Sequence, residues 1–187
     1  NFIDPEHIEK ILSAYDAFGT PLGITRIDSE RCTQLLAYGP PFVTFEPAHE
    51  TEHCLEVEVP FLQLVLPAAR IVPLLFGDVD PDAAVDPLVN VLRQADDVLL
   101  VVSSDLSHYY PYDQAVAFDR ALLAALLSGD RARVRRRQAC GLLPILTLME
   151  VARELAWQPH LLDYRNSGDT AGDHRAVVGY AAVAYTG

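Results

Sequence analysis

The chain has 187 residues, 50% of them hydrophobic and 21% charged, and its 26 acidic against 14 basic side chains give a formal net charge of -12. That length suits a single folded domain over 1–187 with a sizeable core, and no apolar stretch is long enough to cross a bilayer. The charge repels nucleic acid and anionic lipid over most of the surface, so neither is an expected partner.

Cys32, Cys54 and Cys140 are odd in number and irregular in spacing, which suits a reducing cytoplasm rather than the disulfide framework of a secreted domain. In chain order, Asn1 to Ala14 reads as a short amphipathic helix entered near Pro5, and its Asp4, Glu6, Glu9 and Lys10 argue against a signal sequence. No methionine opens the chain, so an upstream segment is expected to be missing. Asp28 to Leu36 reads as a helix with Asp28 as N-cap, Cys54 to Leu66 as a mixed segment turning helical around Pro60, and Ile71 to Phe76 as a strand stopped by Gly77. Pro87 to Gln94 returns as a helix. Val98 to Ser103 begins with an unbroken apolar run and reads as a strand buried on both faces. Tyr112 to Leu127 has the longest helical periodicity and is ended by Gly129, Leu143 to Ala156 is a further helix, and His160 to Tyr164 and Ala176 to Tyr185 are strand-like. Strands alternating with helices predict an α/β fold with a mixed, largely parallel central sheet and helices on both faces.

Ser103 to His108 follows the apolar run at the carboxyl end of the expected strand, where sites in parallel α/β sheets form. An imidazole with a carboxylate three residues away in the same turn suits acid/base work, so Asp105 and His108 are catalytic candidates; the plainer reading has Asp105 capping a helix and His108 as a partly buried ring. Cys140 stands just ahead of an expected helix, a position that favours the thiolate, although most lone cysteines are inert core residues. His49 and His53 have the spacing of two imidazoles on one helical face, but the His-Glu-x-x-His order of zinc proteases is absent. His53 and Glu56 either border a pocket as substrate-binding residues or tie a loop to the sheet. Asn166 and Asp169, in a strong turn signal, either reach a neighbouring strand end to bind substrate or satisfy their own backbone. Arg131, Arg133, Arg135, Arg136 and Arg137 form the one basic cluster; a solvated helix face is the commoner use of such a run, phosphate binding the rarer one.

Ser103-Ser-Asp-Leu-Ser-His108, Ala139-Cys-Gly-Leu-Leu-Pro-Ile145, Tyr164-Arg-Asn-Ser-Gly-Asp169 and Val177-Val-Gly-Tyr-Ala181 occur in one order that resembles the Memo family. Thr20-Pro-Leu-Gly23, Glu52-His-Cys-Leu-Glu56, Val59-Pro-Phe61 and Ile71-Val-Pro73 extend the resemblance back to about Asp16. Its bacterial and archaeal branch is the B component of the AmmeMemoRadiSam grouping, and the family fold resembles class III extradiol dioxygenases. The resemblance implies a metal-dependent redox or dioxygenase-like site with Cys140 as metal ligand, His108 as acid/base and Asp105 as its orienting partner. Iron, copper or zinc would suit two imidazoles and a thiolate. The two N-terminal histidine motifs of the family, His-Ala-Gly-Tyr-like and Gly-Pro-x-His-like, do not occur in these residues, so the expected metal site is incomplete in this chain and its N-terminal section is expected to be absent. The alternative is a non-catalytic protein that binds a peptide or small metabolite in the remnant pocket. A homo-oligomer is expected if a partial sheet leaves apolar surface to cover.

Overall fold

The computed structural model describes residues 10–12, 16–40 and 42–187. The chain divides on either side of Asp96 into two compact units.

In the first unit, β1 (Lys10–Leu12) lies between β4 (Phe42–Thr44), to which it is parallel, and β5 (Leu74–Leu75), to which it is antiparallel. β2 (Ala17–Thr20) and β3 (Gly23–Arg26) form a hairpin. Helix α1 (Ser29–Leu36) starts where expected: the Asp28 carboxylate accepts the backbone N–H of Arg31 at 3.0 Å and its guanidinium at 2.6 Å. Burial raises the Asp28 pKa, but the hydrogen bonds and charge of Arg31 together hold it below the usual carboxylate value. Helix α2 (Glu46–Thr51) follows β4, and α3 (Val59–Val65) carries Pro60 in its first turn, where a missing N–H costs nothing. A short 3-10 turn, Pro81–Ala84, leads into α4 (Val85–Gln94), which buries Val85, Leu88, Val89 and Val91.

The second unit is built on a long antiparallel pair, β7 (Gln158–Asn166) against β8 (Val177–Thr186), with the short β6 (His108–Tyr110) on the other edge of β8. Helix α5 (Tyr112–Leu127) ends in a Schellman arrangement. Gly129 takes φ 70°, the Gly129 N–H donates to Leu126 and the Asp130 N–H to Ala125. A four-residue helix α6 (Arg131–Val134), capped by Asp130, carries the basic run towards α7 (Leu142–Glu154). The core joins Leu122, Leu123 and Leu126 of α5 to Ile145, Leu146 and Met149 of α7, with Leu106 and Val134 beside them and Tyr164, Ala181 and Val183 of the β-pair packed against the cluster. Each fully buried leucine contributes roughly 1.5–3 kcal/mol by leaving water. The short α8 (Ser167–Ala171) connects the two long strands.

Several expectations are corrected. Most of the helix expected over Asn1 to Ala14 lies outside the described residues, and its Lys10–Leu12 portion is strand β1. Of Ile71 to Phe76 only Leu74 and Leu75 pair as a strand, with Ile71 bridging Ile27 in parallel. The segment Val98 to Ser103 is not a strand among the described residues: Leu99 is 69% exposed and Val101 49%, alternating with half-buried Val98, Leu100 and Val102. Such a run demands burial, but which strand it pairs with is decided by residues far away in sequence. The described pairings form small sheets in which antiparallel pairs predominate over the one parallel ladder, β1 with β4.

Candidate functional site

The turn after residue 102 gathers three of the expected residues. The backbone N–H of Asp105 donates to Cys140 Sγ at 2.9 Å, and the Cys140 N–H donates to the Asp105 carbonyl at 3.2 Å. The Asp105 carboxylate lies 3.3 Å from His108 Nε2, long for a hydrogen bond but close enough to orient the ring. Asp105 therefore touches Cys140 through its main chain and His108 through its side chain.

The start of α7 brings the cysteine there. Gly141 is the N-cap of α7, so Cys140 immediately precedes the helix, and the Gly141 N–H donates to Ser104 Oγ at 2.9 Å. A Cβ at position 141 would stand 2.7 Å from both the Ser103 carbonyl oxygen and Ser104 Cβ, so the close approach of the two segments requires glycine. Ser104 Oγ also donates to the Asp105 carbonyl at 2.8 Å and lies 3.6 Å from Cys140 Sγ. Cys140 is exposed, whereas Cys32 is buried.

His108 opens β6 and pairs with Val178, while Tyr110 pairs with Val177. Tyr109 is the extra residue of a bulge at φ 61°, and it is 75% exposed. Bulges recur beside active sites because they re-aim side chains; here the Tyr109 ring lies 5.9 Å, centroid to centroid, from that of His108. Tyr180 of β8 is also exposed, and its phenol pKa is raised by burial first, then by the charge of Asp105 and by Tyr109.

Sequence reasoning missed the support beneath this turn. Asp119 of α5 is 1% exposed and accepts hydrogen bonds from Ser107 and Tyr164. Mid-helix among apolar residues, an aspartate gives no sign that it faces inward.

Of the other candidates, His49, His53 and Glu56 belong to the first unit and Asn166 and Asp169 to the second. His49 is buried in α2, while His53 lies beyond the end of that helix with its side chain 86% exposed, beside Glu52 at 3.4 Å, so the two imidazoles do not share a helical face. Glu56 is exposed in the turn between α2 and α3. Asn166 and Asp169 form the capping box of α8: Asn166 Oδ1 accepts the Gly168 N–H at 2.9 Å, and Asp169 Oδ2 accepts the Asn166 N–H at 2.8 Å. Tyr112 O–H donates to Asp169 Oδ1 at 2.7 Å; this bond first, and the Asn166 N–H next, holds the Asp169 carboxyl below the usual range. The basic run occupies α6 and the turn after it, with Arg131 Nε donating to the Leu146 carbonyl at 3.2 Å.

Among the described residues no three or more His, Cys, Asp or Glu side chains are grouped to hold a metal ion. The turn thus places an exposed thiol, a carboxylate and an imidazole on neighbouring positions. No helix among the described residues is long and apolar enough to cross a membrane.

Comparison with known proteins adds a family context. A family model described as "Memo-like protein" matches residues 5–184. A "MEMO1 family protein" of Methanococcoides burtonii is 36% identical over 185 residues, covering 92% of this chain and 69% of the relative. Another from Aquifex aeolicus is 36% identical and covers 98% of this chain and 73% of its own length, and one from Aeropyrum pernix is 37% identical with shares of 88% and 62%. Across the relatives compared, the chain spans 62% to 73% of their length.

Proposed function

The chain belongs to the Memo-like family, and from that membership we propose that the turn uniting Asp105, His108 and Cys140 is the reactive centre of a metal-dependent redox protein. The observation that carries the reading is the double engagement of Asp105, whose N–H meets Cys140 Sγ while its carboxylate faces His108 Nε2. A soft thiolate and an imidazole suit iron, copper or zinc, the remaining donors coming from outside this trio. The finer kinship, an extradiol dioxygenase-like fold with a largely parallel sheet, is part of the same proposal. The role of the chain's own groups is specific: Cys140 is the soft ligand, Asp105 orients the imidazole, and His108 gives or takes a proton at the substrate. The substrate is a small molecule or a peptide group, with His53, Glu56, Asn166 and Asp169 as proposed substrate contacts. A reducing cytoplasm is the proposed setting for a free thiol of this kind.

Metal content tests this. Protein equilibrated anaerobically with iron(II), copper or zinc should bind metal weakly, lose that binding in Cys140→Ala and bind less in His108→Ala. A stoichiometric site that is insensitive to Cys140→Ala would remove Cys140 from the site and overturn the assignment.

A second reading is a non-catalytic binding pocket for a peptide or small metabolite. The exposed rings of Tyr109 and Tyr180 beside Asp105 favour it, because aromatic faces supply binding area at little entropic cost. Absence of bound metal, together with ligand binding weakened by Tyr109→Ala, would move the assignment to this reading.

A further inference from the structure

We propose that Asp119 is the positioning residue of the 103–108 turn, holding it through Ser107; the role rests on the reading of that turn as the reactive centre. Asp119 sits on α5 with 1% of its surface exposed. Taking a carboxylate out of water costs several kcal/mol unless it is fully hydrogen-bonded. Its partners are three neutral donors: the Ser107 N–H at 2.9 Å on Oδ1, and on Oδ2 the Ser107 O–H at 3.1 Å and the Tyr164 O–H at 2.8 Å.

Two of those donors belong to one residue, and that residue immediately precedes His108. Ser107 is also held from the other side, because the Gly179 N–H donates to its carbonyl at 2.9 Å while the Leu106 N–H donates to the Gly179 carbonyl at 2.9 Å. The turn is thus gripped between a carboxylate on α5 and the backbone of β8. The fit leaves no slack: a Cβ at position 179 would stand 1.9 Å from Asp119 Oδ2.

A leucine in place of this aspartate would remove the desolvation penalty of the carboxylate but leave the Ser107 N–H, the Ser107 O–H and the Tyr164 O–H without their acceptor. What an apolar side chain cannot do is hold the main chain and the hydroxyl of Ser107 together. With Ser107 fixed, the chain enters β6 at one angle, His108 meets the Asp105 carboxylate, and the Asp105 N–H meets Cys140 Sγ. Asp119 acts on His108 and Cys140 through this turn.

The test uses the full chain as Asp119→Asn, Asp119→Ala and Ser107→Ala, with circular dichroism and thermal melting to establish folding. Two local readouts follow. One is the nitrogen–proton resonance of the Asp105 amide, which reports its bond to sulfur; the other is the rate at which iodoacetamide modifies Cys140 at fixed pH. In Asp119→Asn the amide oxygen can still accept the Ser107 N–H, and the NH2 group can donate to the hydroxyls of Ser107 and Tyr164 once these rotate. This variant should therefore keep the wild-type resonance and rate. Asp119→Ala and Ser107→Ala should move the Asp105 resonance and change the alkylation rate by about fivefold, the factor one net hydrogen bond corresponds to. If Asp119→Ala does not fold, Ser107→Ala decides, because it deletes a single hydroxyl. A folded Ser107→Ala with the wild-type resonance and rate overturns the proposal, as does an Asp119→Asn that is as perturbed as the alanine variant. Neither readout needs metal or turnover, so failure of the redox reading would show separately.

Discussion

Cys140 and Asp105, 35 residues apart in the chain, exchange two hydrogen bonds: the Asp105 N–H donates to Cys140 Sγ at 2.9 Å and the Cys140 N–H returns to the Asp105 carbonyl at 3.2 Å. The pair joins the start of α7 to the 103–108 turn and leaves the sulfur at an exposed position. Cys32 is the opposite case, buried in α1 with its thiol pushed up to about 11 by burial first and by the charge of Asp28 second.

The reactivities should therefore separate. A thiol reagent at pH 8 should modify Cys140 well before Cys32, because the thiolate is the attacking form and access is required. Mass mapping of the modified peptides at early times is the measurement. Cys140→Ala should remove the early Cys140 adduct and leave Cys32 protected until the protein unfolds. Early modification of Cys32 would contradict its placement.

Two glycines should be irreplaceable for reasons of space. Gly141→Ala would drive a methyl group against the Ser103 carbonyl and Ser104 Cβ at 2.7 Å, and Gly179→Ala would press one onto Asp119. Each change should cost about 1–3 kcal/mol, the range for overpacking, as read from urea denaturation midpoints. Gly19→Ala in β2, where an added Cβ meets nothing within 4 Å, is the control and should be close to neutral.

What the sequence discloses follows from how local each signal is. Helix α5 runs from Tyr112 to Leu127, the bounds its periodicity predicts, and Asp28 caps α1, because caps, periodicity and stop glycines act within a few residues. The turn at Asn166 to Asp169 is also legible, although the side chains that make it a turn bond each other's backbone in a capping box. The segment 98–103 is misread because its composition encodes only a need for burial. Asp119 is invisible because its donors, Ser107 and Tyr164, lie 12 and 45 residues away. The motifs Ser103 to His108 and Ala139 to Ile145 stand out in sequence, while the contact between them arises only on folding.

Alkaline stability carries a sign that can be checked. The Tyr185 hydroxyl is pushed up to about 12 by burial, and Cys32 to about 11. Both groups hold their protons in the folded state at pH values where the unfolded chain has released them. Their stabilising contribution is full below their ordinary values, roughly 8.5 for cysteine and 10 for tyrosine, and is lost as pH rises through the folded values. Melting temperature should thus fall between about pH 9 and pH 12. The fall should be shallower in the double variant Cys32→Ala, Tyr185→Phe. An unchanged slope would assign the alkaline loss to other groups.

On the acid side the sign reverses, and the capping box of α8 is where to look. The Asp169 carboxyl is held below its usual value by the Tyr112 O–H and then by the Asn166 N–H, so its bonds stabilise the folded loop above the ordinary carboxylate range and are lost as pH falls through the depressed folded value. The Asn166 amide proton reports this directly, since its acceptor is Asp169 Oδ2. Its hydrogen-exchange protection factor should be high at pH 6 and collapse towards pH 2. In Asp169→Ala it should be low at both, while the rest of the β7–β8 pair stays protected. Asp173, only four residues from Asp169, is the necessary comparison, because its carboxyl is also held low, by Arg175. Asp173→Ala should leave the Asn166 amide unchanged, since Asp173 accepts from Arg175 rather than from the cap. Protection of Asn166 that survives at pH 2 in the wild type, or that depends on Asp173 instead, would show that the carboxylate of Asp169 does not hold the cap.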